Sequence, residues 1–185
     1  MASSVFIRAS VAPSVLIRAI RGSIRAIRGS NFLPIFTKNS TMGISDILAQ
    51  QKAEKSAANL QAGQSFLTTN ALRETVISLP SGLQYEILTQ GTGEKPLASH
   101  QVTCHYHGTL IDGTIFDSSV QRGQPATFPL SAVIKGWTEG LQLMPSGSKW
   151  RFFIPPHLGY GDRQVSAQIG PNSTLIFDVE LISFR

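Results

Sequence analysis

Between residues 102 and 118 the sequence runs Val-Thr-Cys-His-Tyr-His-Gly-Thr-Leu-Ile-Asp-Gly-Thr-Ile-Phe-Asp-Ser, and here its chemically capable side chains are densest. Side chains alternate faces along a strand, so Cys104 and Tyr106 share one face while His105 and His107 share the other. A return strand after Asp112-Gly113 would bring Phe116 and Asp117 back beside Tyr106, so that a phenol, a benzyl ring and a carboxylate converge. Later stretches add Trp137, set between glycines, and Tyr160, inside Gly159-Tyr160-Gly161. No nucleophile–base set stands out, because Ser118 and Ser119 have no histidine at a telling spacing. His105 and His107 supply only two ligands where zinc takes three or four, and Cys104 faces away from them. No metal site is assigned, and both histidines are read as facing solvent.

Those residues need strands to position them. Residues 102–110 are rich in β-branched and aromatic types and predict a strand. Asp112-Gly113 predicts a tight two-residue turn of residues that tolerate positive φ, and residues 114–117 start the return strand. Residues 45 to about 73 read as a helix capped by Ser45 or Asp46. Ile44, Ile47, Leu48, Ala57, Ala58 and Leu60 give it a partial apolar stripe. Residues 74–80 are expected to be a linker, 83–88 a strand, 126–130 a short strand and 133–141 one or two helical turns. Residues 148–154 read as a strand and 155–171 as a long loop rich in glycine and proline. Residues 174–184 close the chain as a strand, with Leu175, Phe177, Val179 and Leu181 on one face. The sum is an α+β fold: a mostly antiparallel sheet with one short helix, preceded by an N-terminal helix.

Composition narrows the function classes. The formal charge of +5 comes from the first 41 residues, which hold six basic side chains and no acid. The remainder holds ten bases against eleven acids, too balanced for a basic nucleic-acid face. No apolar run reaches the ~18 residues of a membrane span. The lone cysteine excludes an intrachain disulfide and suits a reducing compartment. Residues 1–41 form a separate basic region, in which Ile17-Arg-Ala-Ile-Arg-Gly-Ser23 recurs at 24–30. That composition is the one of a mitochondrial-type transit peptide, although its two glycines each cost a helix ~1 kcal/mol. The favoured reading is upstream translated sequence with Met42 as the natural start and a cytoplasmic protein; a mitochondrial location is the alternative. On either reading, residues 1–41 are expected to lack stable tertiary structure. Residues 42–78 then form an N-terminal helical segment and 79–185 the main domain.

Four motifs stand in order: Tyr106-x-Gly108-x-Leu110, Gly113-x-x-Phe116-Asp117-Ser118-Ser119, Val133-Ile134-x-Gly136-Trp137-x-Glu139-Gly140 and Tyr160-Gly161. Together they resemble the FKBP-type peptidyl-prolyl cis–trans isomerases, and the segment before them looks like the Mip/FklB-like bacterial branch. The resemblance covers roughly residues 60–185. It implies a twisted antiparallel sheet wrapped around the short helix. It also implies rotamase activity on the Xaa-Pro bonds of exposed polypeptides, in aid of protein folding, with no cofactor and with inhibition by macrolides such as rapamycin.

The catalytic set so implied is Tyr106, Phe116, Asp117, Trp137 and Tyr160. Trp137 would be the floor beneath the prolyl ring, with Tyr106 and Phe116 as walls. Asp117 would orient Tyr106, and Tyr160 would hydrogen-bond the substrate from the rim. Phe128, Val133, Ile134, Ile169 and Phe177 would bind substrate, and the Ile134 N–H would meet a substrate carbonyl. In the resembled branch the N-terminal helical region makes a dimer. Here that region spans only ~30 residues, and a homodimer through residues 45–73 is not favoured over a helix lying on its own domain. The rival reading is a catalytically weak peptide-binding chaperone or scaffold module with the same fold. Ala126, Val165 and the glycine-poor 162–168 segment depart from the family pattern and bear on peptide preference and macrolide binding.

Overall fold

In the computed structural model of the chain, which describes residues 43–185, two ten-residue strands form the middle of one antiparallel sheet. They are β3 (Gln101–Leu110) and β7 (Leu175–Phe184). Beyond β7 follow β6 (Lys149–Ile154), β2 (Gln84–Thr89) and β1 (Val76–Ser78). The other side of β3 is shared by β4 (Ile115–Ser118) and β5 (Ala126–Pro129), each pairing with a different part of it. Period-two patterning sets which side faces inward. Leu175, Phe177, Val179 and Leu181 of β7 are buried, as are Val102 and Cys104 of β3. The expectations for residues 1–41 lie outside the described residues.

Against the inner face packs α2 (Lys135–Leu141), whose Gly136, Trp137, Gly140 and Leu141 are buried. Seven residues with two glycines make no stable helix alone, so packing must hold this one. The glycines allow that packing. A Cβ on Gly136 would lie 2.7 Å from Ile154 Cγ2, and one on Gly140 would lie 2.5 Å from Phe152 Cε1. Trp137 stands between glycines because the rest of the helix must touch β6 with its backbone. Gly140→Ala gains about 1 kcal/mol of helix propensity. Overpacking against the fully buried Phe152 costs about 1–3 kcal/mol, so a lower urea midpoint is expected. A midpoint at or above the parent's would show that α2 shifts freely on the sheet.

Three local expectations change. The β3–β4 hairpin closes with three residues, not two. Leu110 N–H donates to Thr114 O (2.9 Å) and Gly113 N–H to Leu110 O (3.0 Å). Gly113 alone in this turn has positive φ, at 84°, while Asp112 Oδ1 accepts the Thr114 N–H at 2.9 Å. Within the expected linker, residues 76–78 form β1 by pairing with β2. The long helix, α1 (Ile44–Asn70), is capped by Gly43, whose N–H donates to Asp46 Oδ2 at 3.1 Å.

The apolar stripe read for α1 faces solvent, with Ile44 79%, Leu48 59% and Ile47 44% exposed. What rests on the domain is a different stripe at 3–4 spacing. Ser56 meets Asn172, Asn59 meets the Pro171 carbonyl, and Gly63 backs onto Thr174. Phe66 then lies 5.9 Å from the Phe153 ring, and Asn70 Nδ2 donates to Gln84 Oε1 at 2.9 Å.

Candidate active site

Cross-strand register places the aromatic residues. Trp150, Val179 and Tyr106 form one inner row, and Phe152, Phe177 and Gly108 the next. Gly108 is small because rings pass over it: a Cβ there would lie 2.7 Å from the Phe116 ring and 2.9 Å from that of Phe177. Trp137, 4% exposed, stands at the centre. Tyr106 and Phe177 meet it edge-on, with centroids 5.4 and 5.1 Å away, and Phe128 is tilted at 5.4 Å. Phe116 closes on Phe177 edge-to-face at 5.3 Å. Such T-shaped contacts are the arrangement ring quadrupoles favour.

The turn before α2 adds Val133 and Ile134, and the β6–β7 loop adds Tyr160 and Ile169. All ten residues named from the sequence therefore line one cavity of about 470 Å³, with Ala132, Val165 and Ser166 beside them. That size suits a small apolar group with a few directing polar atoms. Besides the buried Trp137 indole N–H, which finds no partner among the described residues, two donors at the cavity's edge are unused. Ile134 is the N-cap of α2; its carbonyl accepts from Trp137 and Thr138, but its own N–H meets no acceptor among the described residues. The Tyr160 hydroxyl, which lines the cavity, likewise makes no hydrogen bond among the described residues.

At the edge of the cavity lies a three-membered polar network. Tyr106 OH donates to Asp117 Oδ2 at 2.5 Å. Arg122 donates from Nη1 to Asp117 Oδ1 and from Nη2 to the Tyr106 oxygen, the latter at 2.8 Å. Its guanidinium also sits 5.6 Å from the Tyr106 ring centroid. Sequence reading missed Arg122; a base five residues after Asp117 was the available signal. Burial, and then the bond to Asp117, push the Tyr106 phenol up, so it remains a neutral donor. Burial also pushes Tyr160 up, with the Asp117 charge adding to it. On Asp117, burial acts upward, but the bonds from Tyr106 and Arg122 and the guanidinium charge prevail and leave it below the usual carboxylate value.

The outer face corrects one expectation. Pairing of β3 with β4 sets His107 Nδ1 3.0 Å from Ser118 Oγ, and His105 Nδ1 lies 3.1 Å from Ser119 Oγ. These serines are buried, and their hydroxyls are committed to backbone. Ser119 Oγ accepts the Tyr106 N–H at 2.7 Å, and Ser118 Oγ accepts the Gln121 N–H at 3.1 Å. They fasten the hairpin and offer no open nucleophile. Cys104 is equally inert, since burial pushes its thiol up to about 12. A larger hollow of about 590 Å³ lies between this face and the end of α1. Its ionic groups are already paired, Arg151 with Asp178 and Arg73 with Glu86.

Asp117 and Glu86 both titrate below their ordinary values. For Glu86 the Thr75 hydroxyl bond leads, with Arg73 adding to it against burial. A carboxyl depressed in the folded state stabilises above its unfolded value of about 4 and loses that contribution as pH falls further. Thermal melts are therefore expected to hold from neutrality to about pH 5 and to fall below about pH 4. A midpoint that rises on acidification below pH 4 would contradict these ion pairs.

Comparison with known proteins bears on the same residues. A family model described as FKBP-type peptidyl-prolyl cis-trans isomerase matches residues 92–182. A second, described as the domain amino terminal to FKBP-type peptidyl-prolyl isomerase, matches residues 19–87. The chain is 52% identical over 143 residues to Outer membrane protein MIP of Legionella longbeachae, covering 76% of this chain and 61% of that protein. It is 41% identical over 158 residues to the Macrophage infectivity potentiator of Trypanosoma cruzi, covering 85% of this chain and 80% of that protein. The crystal structure of FkpA from Escherichia coli matches with a TM-score of 0.72 at 42% identity, over 76% of this chain and 65% of that one. The chain thus spans between about half and two thirds of the length of several bacterial relatives that it matches.

Proposed function

The chain belongs to the FKBP-type peptidyl-prolyl cis–trans isomerase family, and from that premise we propose that it catalyses rotation about Xaa-Pro bonds in exposed polypeptide segments and so assists their folding. One observation carries the reading: an aromatic cavity with two unused donors at its edge and no nucleophile–base pair within it. Prolyl rotation needs no covalent step. Its barrier of ~18–20 kcal/mol comes from amide resonance, and the uncatalysed step takes tens to hundreds of seconds. A site lowers that barrier by binding the twisted imide more tightly than either planar form. In this proposal the prolyl ring rests on Trp137, between Tyr106, Phe116 and Phe177. Val133, Phe128 and Ile169 keep water from the imide, which removes solvent that favours the planar, more polar amide. Ile134 N–H and Tyr160 OH donate to substrate carbonyls, and Asp117 fixes the Tyr106 ring.

The proposal extends to macrolides such as rapamycin, which would fill the same cavity, and to residence in the cytoplasm, which the single unpaired cysteine suits. A homodimer through residues 45–73 is not part of it, since the second half of α1 rests on its own domain. The test of the folding role is a protein whose refolding has a slow, proline-limited phase. Catalytic amounts of the full chain should speed that phase. A chain that binds the unfolded protein and leaves the phase unchanged would be a peptide-binding module instead.

A further inference from the structure

We propose that α1 belongs to the scaffold of the substrate cavity, with Ser56 and Asn59 as positioning residues that hold the β6–β7 loop in place. The loop supplies Tyr160, Val165 and Ile169 to the cavity. It contains no strand, and such segments open locally at low free-energy cost unless something fastens them. Its tip is tied only to itself: Val165 N–H donates to Ile169 O at 3.0 Å, and Ile169 N–H to Ser166 Oγ at 3.0 Å.

The base of the loop is tied to the helix. Asn59 Nδ2 donates to the Pro171 carbonyl at 2.8 Å, and Asn172 Nδ2 donates to Ser56 Oγ at 2.7 Å. Gly170 is buried directly beneath α1, where a Cβ would approach Lys55 Cε to 2.9 Å. Asn172 joins the two ends of the loop. It is the one non-glycine residue with positive φ among the described residues, at 54°, a conformation asparagine tolerates better than most. Its backbone N–H donates to Gly161 O at 2.8 Å, immediately after Tyr160. The helix therefore grips Asn172, which grips the Tyr160 turn. It also grips Pro171, two residues from the buried Ile169. Neither Ser56 nor Asn59 lines the cavity, so both act through the loop.

The activity arm of the test rests on the isomerase reading; the exchange arm rests on geometry alone. In the full chain, Asn59→Asp replaces the donor by a carboxylate facing the Pro171 carbonyl, and Ser56→Ala removes the acceptor for Asn172. KM for an Xaa-Pro peptide is expected to rise about fivefold in Asn59→Asp and in Ser56→Ala, with kcat changed less than about twofold. Ser56→Thr, which keeps the hydroxyl, is expected to restore the parent KM. Amide exchange at Val165, Ile169 and Asn172 is expected to quicken at least about tenfold in both disruptive variants, while β3 and β7 amides hold. Exchange that quickens evenly across the sheet would reduce Ser56 and Asn59 to ordinary structural residues. Parent-like KM together with parent-like loop exchange would overturn the proposal. A parent chain without isomerase activity would remove the activity reading, and the exchange arm would still decide the clamp. Should Asn59→Asp fail to fold, Ser56→Ala alone carries both readouts.

Discussion

Trp137→Ala is expected to lower kcat/KM for an Xaa-Pro peptide by at least about tenfold, equivalent to about 1.4 kcal/mol of lost transition-state stabilisation. Three rings lean on the indole, at centroid distances of 5.1 to 5.4 Å. In the proposed reaction, removing it takes away the floor beneath the proline and admits water to the imide. The same substitution is costly for the fold. A buried Trp→Ala change costs about 3–5 kcal/mol, and a domain has about 5–15 in total. Trp137→Phe therefore accompanies it. Phenylalanine keeps an apolar ring and removes an indole N–H that finds no partner among the described residues, so this variant is expected to fold. Its activity should lie between the other two. Chemical denaturation measured beside the rates separates loss of fold from loss of floor. Parent-like turnover in a folded Trp137→Ala chain would remove Trp137 from the site.

Asp117→Ala is the second large effect, and its signature is the opposite. The carboxylate is partly exposed, so its ion pair with Arg122 contributes little to stability. Turnover is expected to fall about tenfold while the denaturation midpoint moves little, because Tyr106 loses the acceptor that fixes its hydroxyl. Arg122→Ala should show a weaker form of the same loss, since Tyr106 and Asp117 still bond each other. The pH profile supports the same assignment. Asp117 is depressed and Tyr106 and Tyr160 are raised, so none of them changes charge near neutrality. The rate is expected to be flat from about pH 6 to 9. A bell-shaped profile centred near 7 would mean that an acid–base group takes part after all.

The cavity was legible in the sequence because its residues are bulky and mostly sit in short motifs. Period-two alternation grouped Tyr106 with Cys104, and Phe177 with the apolar face of the last strand. The family resemblance implied their place in the pocket and that of the rest, including Phe128 and Ile169, which sit in none of the motifs. Polar contacts between distant segments left no such trace. The stripe by which α1 docks is Ser56, Asn59, Gly63, Phe66 and Asn70, mostly polar or small, so an apolar count pointed to the opposite, exposed side. His107–Ser118 and His105–Ser119 meet across strands at separations of 11 and 14 residues, which one-strand spacing cannot reveal. Arg122 becomes meaningful only once the hairpin brings Asp117 and Tyr106 together. The turn at Ile111, Asp112 and Gly113 was misread because Asp-Gly also serves as the end of a three-residue loop, in which glycine alone needs the left-handed conformation.

The central claim is that prolyl rotation takes place on Trp137 inside this cavity. Its most direct test is the cis–trans exchange rate of a short Xaa-Pro peptide in the presence of the full chain, titrated with rapamycin. The account predicts acceleration over the free peptide that declines to the uncatalysed rate as the macrolide saturates a single site. Acceleration that persists at saturation, or a folded chain that accelerates nothing, would contradict it.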